Sequence, residues 1–554
     1  MIFKKKKFLL LMWLFGLSSG LLSQELHLNL TSKETVENIF LKTLNFQQKH
    51  SDTISIQHTL KKIERQLKLH GFFLSTLDST LTNKTNFTAF FSLKEKLDTA
   101  VLYFEQKPAF LLKKFKFKDS ILSLPIYELE ETLEKISDSF ENAGNAFSKI
   151  KLKNFRIRDK TLFAELQFAV AKKRKINKLI FKGYPNFPKA FVRNHFQIRD
   201  TSTFNKKQLQ KFSKLSQNLT FASEIKPPET LFTQDSTFVY IYLKKKKGTS
   251  FDGLINFNTQ ESGAIQFNGH LDLKINNLLN KGESLALLWK HYGNEKQEFQ
   301  LATTTPYLFN SKISPELNFS IYKQDSTFLN TKFHSNIKYQ VTNRASLYVS
   351  FSSENSEKLS NASLERIESF KSNFFGFGYA IRVPKKNHFD KTTFSFNINP
   401  SFGKRKDTNG SSHQIKLEST LSYLLDLNQR SSFYFKNSIG ILNSKNYIEN
   451  ELFRIGGNNT IRGFKEQSLY LKEYLIQSIE YRYHTANNAF LYSITDLALV
   501  STTNQTEKLL GMGIGYLFST NNAQINISTA IGSSSNTPIN LKNTQFFVNW
   551  VNFF

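Results

Sequence analysis

The stretch TTFSFNINP, Thr392 to Pro400, sets Phe394, Phe396 and Ile398 against Ser395, Asn397 and Asn399. A period of two marks a strand with one apolar and one polar face. The same pattern returns in ASLYVSF, where Leu347, Val349 and Phe351 oppose Ser346, Tyr348 and Ser350. It returns again in GMGIGYLF, where Met512, Ile514, Tyr516 and Phe518 oppose Gly511, Gly513 and Gly515. In AQINIST, Ile525 and Ile527 oppose Asn526 and Ser528. From Ser250 to Phe554 no helical period interrupts this alternation.

A soluble antiparallel sandwich alternates too. Two features favour a closed membrane barrel. The apolar faces are rich in aromatic residues, as interfacial girdles require. The chain also ends on the strand-like FFVNWVNFF, with no polar tail, and a terminal strand can pair with the first one to close the sheet. Candidate strands from SFDGLINFN to QFFVNWVNFF number about sixteen, an even count that returns the last strand beside the first. The barrel is therefore expected over residues 250–554, with its seam between SFDGLINFN and the segment carrying Trp550 and Phe554.

The rest of the 554-residue chain agrees with an exported protein. Lys4–Lys7 and the apolar Phe8–Leu17 resemble a secretory signal ending near Ser23, and it is too short to span a bilayer comfortably. The absence of cysteine excludes disulfides, thiolate metal sites, cysteine nucleophiles and a lipoprotein signal. A net charge of +29 favours anionic lipid or lipopolysaccharide, and export argues against nucleic acid. The dense run LKKKKG, Leu243 to Gly248, reads first as a solvated strand end and second as a headgroup contact.

Between the signal and the barrel, helix and strand signals mix. PIYELEETLEKISDSFENAG places Leu129, Leu133, Ile136 and Phe140 on one helical stripe, starting at Pro125 and ending at Gly144. FSKIKLKN and LFAELQFAV follow as strands. A similar order precedes it, with Leu60, Ile63 and Leu67 on one face before Gly71. Another follows it, where the strand KINKLIFKGY leads to a helix bearing Leu209, Phe212, Leu215 and Leu219, then to the strand TFVYIYLKK. Three α+β modules are expected, at 24–97, 98–172 and 173–247, the first matching least well.

Late in the barrel comes FRIGGNNTIRGF, Phe453 to Phe464. Gly456, Gly457 and Gly463 permit a tight path, and Arg462 needs acceptors if that path enters the lumen. On the next strand Ser478, Glu480, Arg482 and His484 share the polar face, which makes Glu480 a physical partner. Asp496 lies on the strand after, where mixed alternation leaves its side open. An exposed hairpin with a solvated Arg462 fits the spacing equally well.

GGNNTIRGF, with IEYRY and YSITDLAL after it, resembles the BamA/TamA superfamily of outer-membrane assembly proteins, whose barrels follow periplasmic POTRA modules. ENAGNAFSKIKL and INKLIFKGYPNFP resemble POTRA steps. The resemblance implies that Gly456, Gly457, Ile461, Arg462, Gly463 and Phe464 form the lumenal loop motif, and that Glu480 and Asp496 hold Arg462. It implies a seam strand ending at Phe554 and an outer-membrane location in a diderm bacterium, with the modules in the periplasm. Three modules are more like the TamA-type branch than the five-module general insertase. The implied function is assembly, insertion or translocation of unfolded outer-membrane or secreted clients through the seam, without covalent chemistry, cofactor or metal, with a periplasmic accessory partner at the modules. A two-partner secretion channel for one dedicated passenger is the alternative. A plain diffusion pore gives the modules no role, and the sequence contains no G-x-S-x-G, H-E-x-x-H or P-loop pattern.

Overall fold

The computed structural model describes residues 25–104, 120–199, 202–246, 248–259, 265–291, 296–359, 366–385, 392–520 and 522–554, of which 254–259 and 265–268 by backbone alone. The signal-like segment 1–23 lies outside the described residues. The chain divides into two compact units. One holds the first two modules, and the other holds the third module and the barrel.

In the first unit each module is a four-stranded sheet faced by helix. The first module joins strands Leu26–Thr31, Lys49–His50, Thr76–Asn83 and Asn86–Ser92 with helices Thr35–Thr43 and Thr53–Leu69. Ile56, Leu60, Ile63 and Leu67 bury the stripe of the longer helix against Phe87, Ala89 and Phe91. Asp52 starts that helix by accepting from Ser55 N at 2.7 Å. In the second module Leu129, Ile136 and Phe140 of helix Leu129–Asn142 pack on strands Thr99–Tyr103 and Thr161–Ala169.

Both modules centre on a short strand that the alternation does not reveal. Leu26–Thr31 runs parallel to Asn86–Ser92, and Thr99–Tyr103 runs parallel to Thr161–Ala169. These strands are only six and five residues long, too short for a period of two to stand out. The third module repeats the motif, with Lys178–Lys182 parallel to Thr237–Lys245 and Ala222–Phe232 antiparallel beside it. Pro227 and Pro228 hid that last strand, because proline lowers a strand expectation and is tolerated only at edges and bulges. Here the strand is the edge, and its register slips on either side of Lys226.

In the third module His195 Nε2 lies 2.9 Å from Leu215 O, between the rings of Phe191 and Phe196. Burial holds its pKa below the ordinary histidine value, and the hydrogen bond to Leu215 only partly offsets this. The unfolded chain therefore takes up the proton first. The resulting stability is complete above the ordinary histidine range and lost as pH falls through it. Amide protection in 176–246, corrected for intrinsic exchange, is expected to drop between pH 7.5 and 5, and His195→Gln should flatten that dependence.

Residues 249–553 form a closed antiparallel barrel of sixteen strands, as the alternation led one to expect. Leu347, Val349, Phe375, Phe377, Phe402 and Ile514 point outward and are exposed, whereas Ser346, Ser350, Asn399 and Ser401 point inward and are buried. An apolar exterior around a polar interior is the arrangement a bilayer demands of a spanning barrel.

Candidate functional site

Residues 445–472 connect the eleventh barrel strand, Ser431–Ser444, to the twelfth, Glu473–Ala486. This segment has its own hairpin, in which Phe453, Arg454 and Ile455 pair with Leu471, Tyr470 and Leu469. Beyond the hairpin lies the glycine-rich tip. Gly457 N donates to Phe464 O at 3.1 Å, and Gly456 N to Thr460 Oγ1 at 2.8 Å.

At the tip Arg462 enters a buried carboxylate cluster. Its backbone N and its Nε both donate to Asp496 Oδ2, at 2.9 and 2.8 Å, and Nη2 donates to Asp496 Oδ1 at 2.6 Å. Nη1 donates to Glu480 Oε1 at 2.5 Å. Arg482 then donates to the other Glu480 oxygen at 2.7 and 2.9 Å, and its guanidinium lies 4.2 Å from the centre of the Tyr434 ring. Within these bonds two cations meet two carboxylates, with Lys436, which donates to Asn459 O at 3.1 Å, a third cation nearby. The pairing matters because Asp496 is 0% exposed and Arg462 and Glu480 are each 7% exposed. The strand Ala489–Ser501 turns Asp496 to the same inward face as Tyr492, Ile494 and Ala498, which settles the side that its sequence left open.

Ile461 is fully buried with Ile455, Leu471, Ile476, Val500 and Leu509, and Phe464 packs against this cluster. Gly463 has φ +90°, and a Cβ there would lie 2.4 Å from the Ile531 carbonyl carbon. Both the conformation and the space therefore require glycine. Gly463→Ala is expected to lift the tip and lower stability by roughly 1–3 kcal/mol, visible as a lower urea midpoint for loss of the unboiled, compact electrophoretic form.

Several contacts were not foreseen from the sequence. Gly511 and Gly532 are the wall positions on which the tip rests, since a Cβ on them would meet Arg462 O at 2.1 Å and Gly463 O at 2.6 Å. Glycine on an inward strand position was the available signal. The loop base is held by a second cluster of opposite sense. Wall residue Arg405, 1% exposed, pairs with loop residue Glu451 and donates to Asp407 at 2.9 Å and Asn446 O at 3.1 Å. Gln414 donates to the other Glu451 oxygen at 2.8 Å. Asn450 donates to Ser356 Oγ at 2.6 Å and Glu368 O at 2.8 Å, and its carbonyl accepts from Asn330 at 2.8 Å. Nothing in a single sequence links residues so far apart.

Together these contacts fix the course of the loop. The Arg454 guanidinium stacks 3.5 Å over Tyr322, on the fifth strand, Ile313–Gln324. Arg462 binds Asp496, on the thirteenth, Ala489–Ser501. In a ring of sixteen those strands are diametrically opposed, so the loop crosses the lumen.

The seam has a different character. Ser250 faces Phe553 and Phe251 faces Asn552, and among the described residues the ladder between first and last strand goes no further. By contrast Ala489–Ser501 pairs along its whole length with Thr506–Ser519. Phe554 N donates to Thr249 O at 2.9 Å, and Asn549 Nδ2 reaches Asp252 Oδ2 at 3.4 Å. Trp550 pairs in register with Ile525 and is exposed, as is Phe554.

Comparison with solved structures gives the architecture a counterpart in CdiB from Acinetobacter baumannii, with a TM-score of 0.50 and 14% identity over 90% of this chain and 97% of that one.

The fold is similar to that of CdiB.

CdiB from Escherichia coli is also similar, at 12% identity and TM-score 0.49, covering 90% of this chain and 96% of that one. So is BamA from Haemophilus ducreyi lacking POTRA domains 1–3, at 15% identity and TM-score 0.49, covering 82% and 99%. Residues 346–518, which contain the loop and both carboxylates, match the family described as haemolysin secretion/activation protein ShlB/FhaC/HecB. No curated protein matches the sequence. At 14% identity the likeness to CdiB from Acinetobacter baumannii is one of fold, and its 90% coverage takes in modules as well as barrel of this chain.

Proposed function

We propose that this protein assembles other proteins into the outer membrane, in the manner of the TamA-type branch, by lending client strands the open edge at its seam. The short first-to-last ladder carries this reading. Among the described residues, the backbone of 253–259 faces no strand on the seam side. Unpaired backbone groups in hydrocarbon are costly by several kcal/mol each. A client strand would satisfy them by edge addition and then leave as its own barrel closes. No covalent step, cofactor or metal enters this scheme.

The loop supports the same reading. A lumen crossed by a chain held at both walls is a poor route for passive diffusion, so traffic is directed to the seam. The α/β modules, read as periplasmic POTRA domains, would take up extended clients on sheet edges or hold an accessory partner. Outer-membrane lipid surrounds the exit.

Secretion of a dedicated passenger through the lumen is the second reading, favoured by the match of 346–518 to haemolysin secretion/activation proteins. Reconstitution separates the two. In liposomes carrying the purified protein, an unfolded barrel client should reach its protease-protected form faster than in empty liposomes. No acceleration by a correctly folded protein would transfer the assignment to secretion.

A further inference from the structure

Where the third module meets the barrel rim, a cleft of about 570 Å³ opens between Arg193 and Arg199 of the module and Lys312 and Tyr339 of the barrel. This is the size of a small-molecule site, roughly 300–1,000 Å³. A built joint holds its walls. Asn194 Nδ2 donates to Asn310 O at 3.0 Å, Asn343 Nδ2 to His195 O at 3.1 Å, and Gln197 Nε2 to Asn343 Oδ1 at 3.0 Å. The Phe191 ring meets Tyr307 edge-on at 4.9 Å. Three cations converge here, and none of the described residues lining the cleft is acidic. Such a lining selects an anion with several acceptor oxygens.

The cleft also continues onto the lipid-facing wall. Tyr339 is 50% exposed and lies opposite Ile313 in the ladder, with Ile337 exposed beside it. From the same turn as Lys312, Phe309 projects with 93% of its surface exposed. Aromatic residues at a barrel rim sit at headgroup depth. Cations at one end and an apolar strip at the other match a phosphate attached to hydrocarbon chains.

We propose that this cleft binds the phosphate of an anionic phospholipid in the leaflet at the module-bearing rim, with the acyl chains lying along Ile313 and Ile337. The proposal requires a membrane-embedded barrel and is independent of what the barrel transports, so failure of client folding leaves it standing.

The test is native mass spectrometry of the full-length protein in detergent, titrated with dioctanoyl phosphatidylglycerol, dioctanoyl phosphatidylcholine or inorganic phosphate. One phosphatidylglycerol should be retained in preference to phosphatidylcholine, and millimolar phosphate should fail to displace it. Arg193→Ser and Lys312→Ser should each weaken retention about five-fold, Phe309→Ser should weaken the lipid as well, and Lys312→Arg should restore it. Each variant is first checked for the compact unboiled form. Equal retention in a folded Arg193→Ser/Lys312→Ser double variant, or equal binding of phosphatidylcholine, overturns the proposal. Displacement by inorganic phosphate overturns it in favour of a free-phosphate site.

Discussion

Arg462→Ala is expected to destabilise the barrel by about 3–5 kcal/mol, the cost of removing one partner from a buried ion pair. Asp496 has no solvent exposure and, of its hydrogen bonds among the described residues, would keep the one from the backbone N–H of residue 462. Glu480 would keep Arg482. The damage should therefore follow Asp496 more than Glu480. Asp496→Asn retains the shape but loses the charge-assisted pair with Nη2 and Nε, so it should approach the alanine variant. Glu480→Gln should be milder. Arg462→Lys keeps the charge without the planar fork that reaches two carboxylates at once, and should fall between. The urea midpoint of the compact form gives this order. A double-mutant cycle between residues 462 and 496 should return a coupling of at least about 2 kcal/mol, and independent, additive effects would reject the brace. The base cluster around Arg405 and Glu451 is untouched by these changes. The loop should therefore stay tethered, and loss of client folding would report the tip alone.

Locking the seam should abolish assembly altogether. Ser250 and Phe553 are ladder partners, and opposed antiparallel residues, about 4.5–5.5 Å apart at Cα, lie within reach of a disulfide. The chain has no cysteine of its own, so Ser250→Cys/Phe553→Cys introduces only the intended pair. Oxidised protein should accelerate client folding no more than empty liposomes do, and reductant should restore the rate. Full activity of the oxidised form would refute the seam mechanism while leaving secretion through the lumen intact, because a closed wall does not obstruct the bore.

The alternation in TTFSFNINP was enough to mark a strand with two unlike faces because side chains on a strand point to opposite faces by backbone geometry, wherever the strand lies; the aromatic outer faces and the terminal strand turned that reading toward a barrel. Helical stripes such as Leu60, Ile63 and Leu67 were legible for the same local reason. The central module strands Leu26–Thr31 and Thr99–Tyr103 were not, since what makes them strands is parallel pairing with a segment some sixty residues later. In the loop, the glycines and Arg462 announced a constrained path with a charge to satisfy. The residues alone could not decide between lumen and solvent, because that depends on which wall lies within reach.

Tertiary structure alone decided the rest. It turned Asp496 inward, placed Gly511 and Gly532 beneath the tip, and set Arg405 against Glu451 across a gap of forty-six residues. It also left the seam, among the described residues, with two facing pairs and brought Arg193 and Lys312 to one cleft. Those facts come from closing a sheet of sixteen strands, which makes neighbours of residues far apart in the chain. Local sequence fixes the direction of a side chain along its own strand, whereas barrel closure and the return of the loop through the lumen fix what that side chain meets.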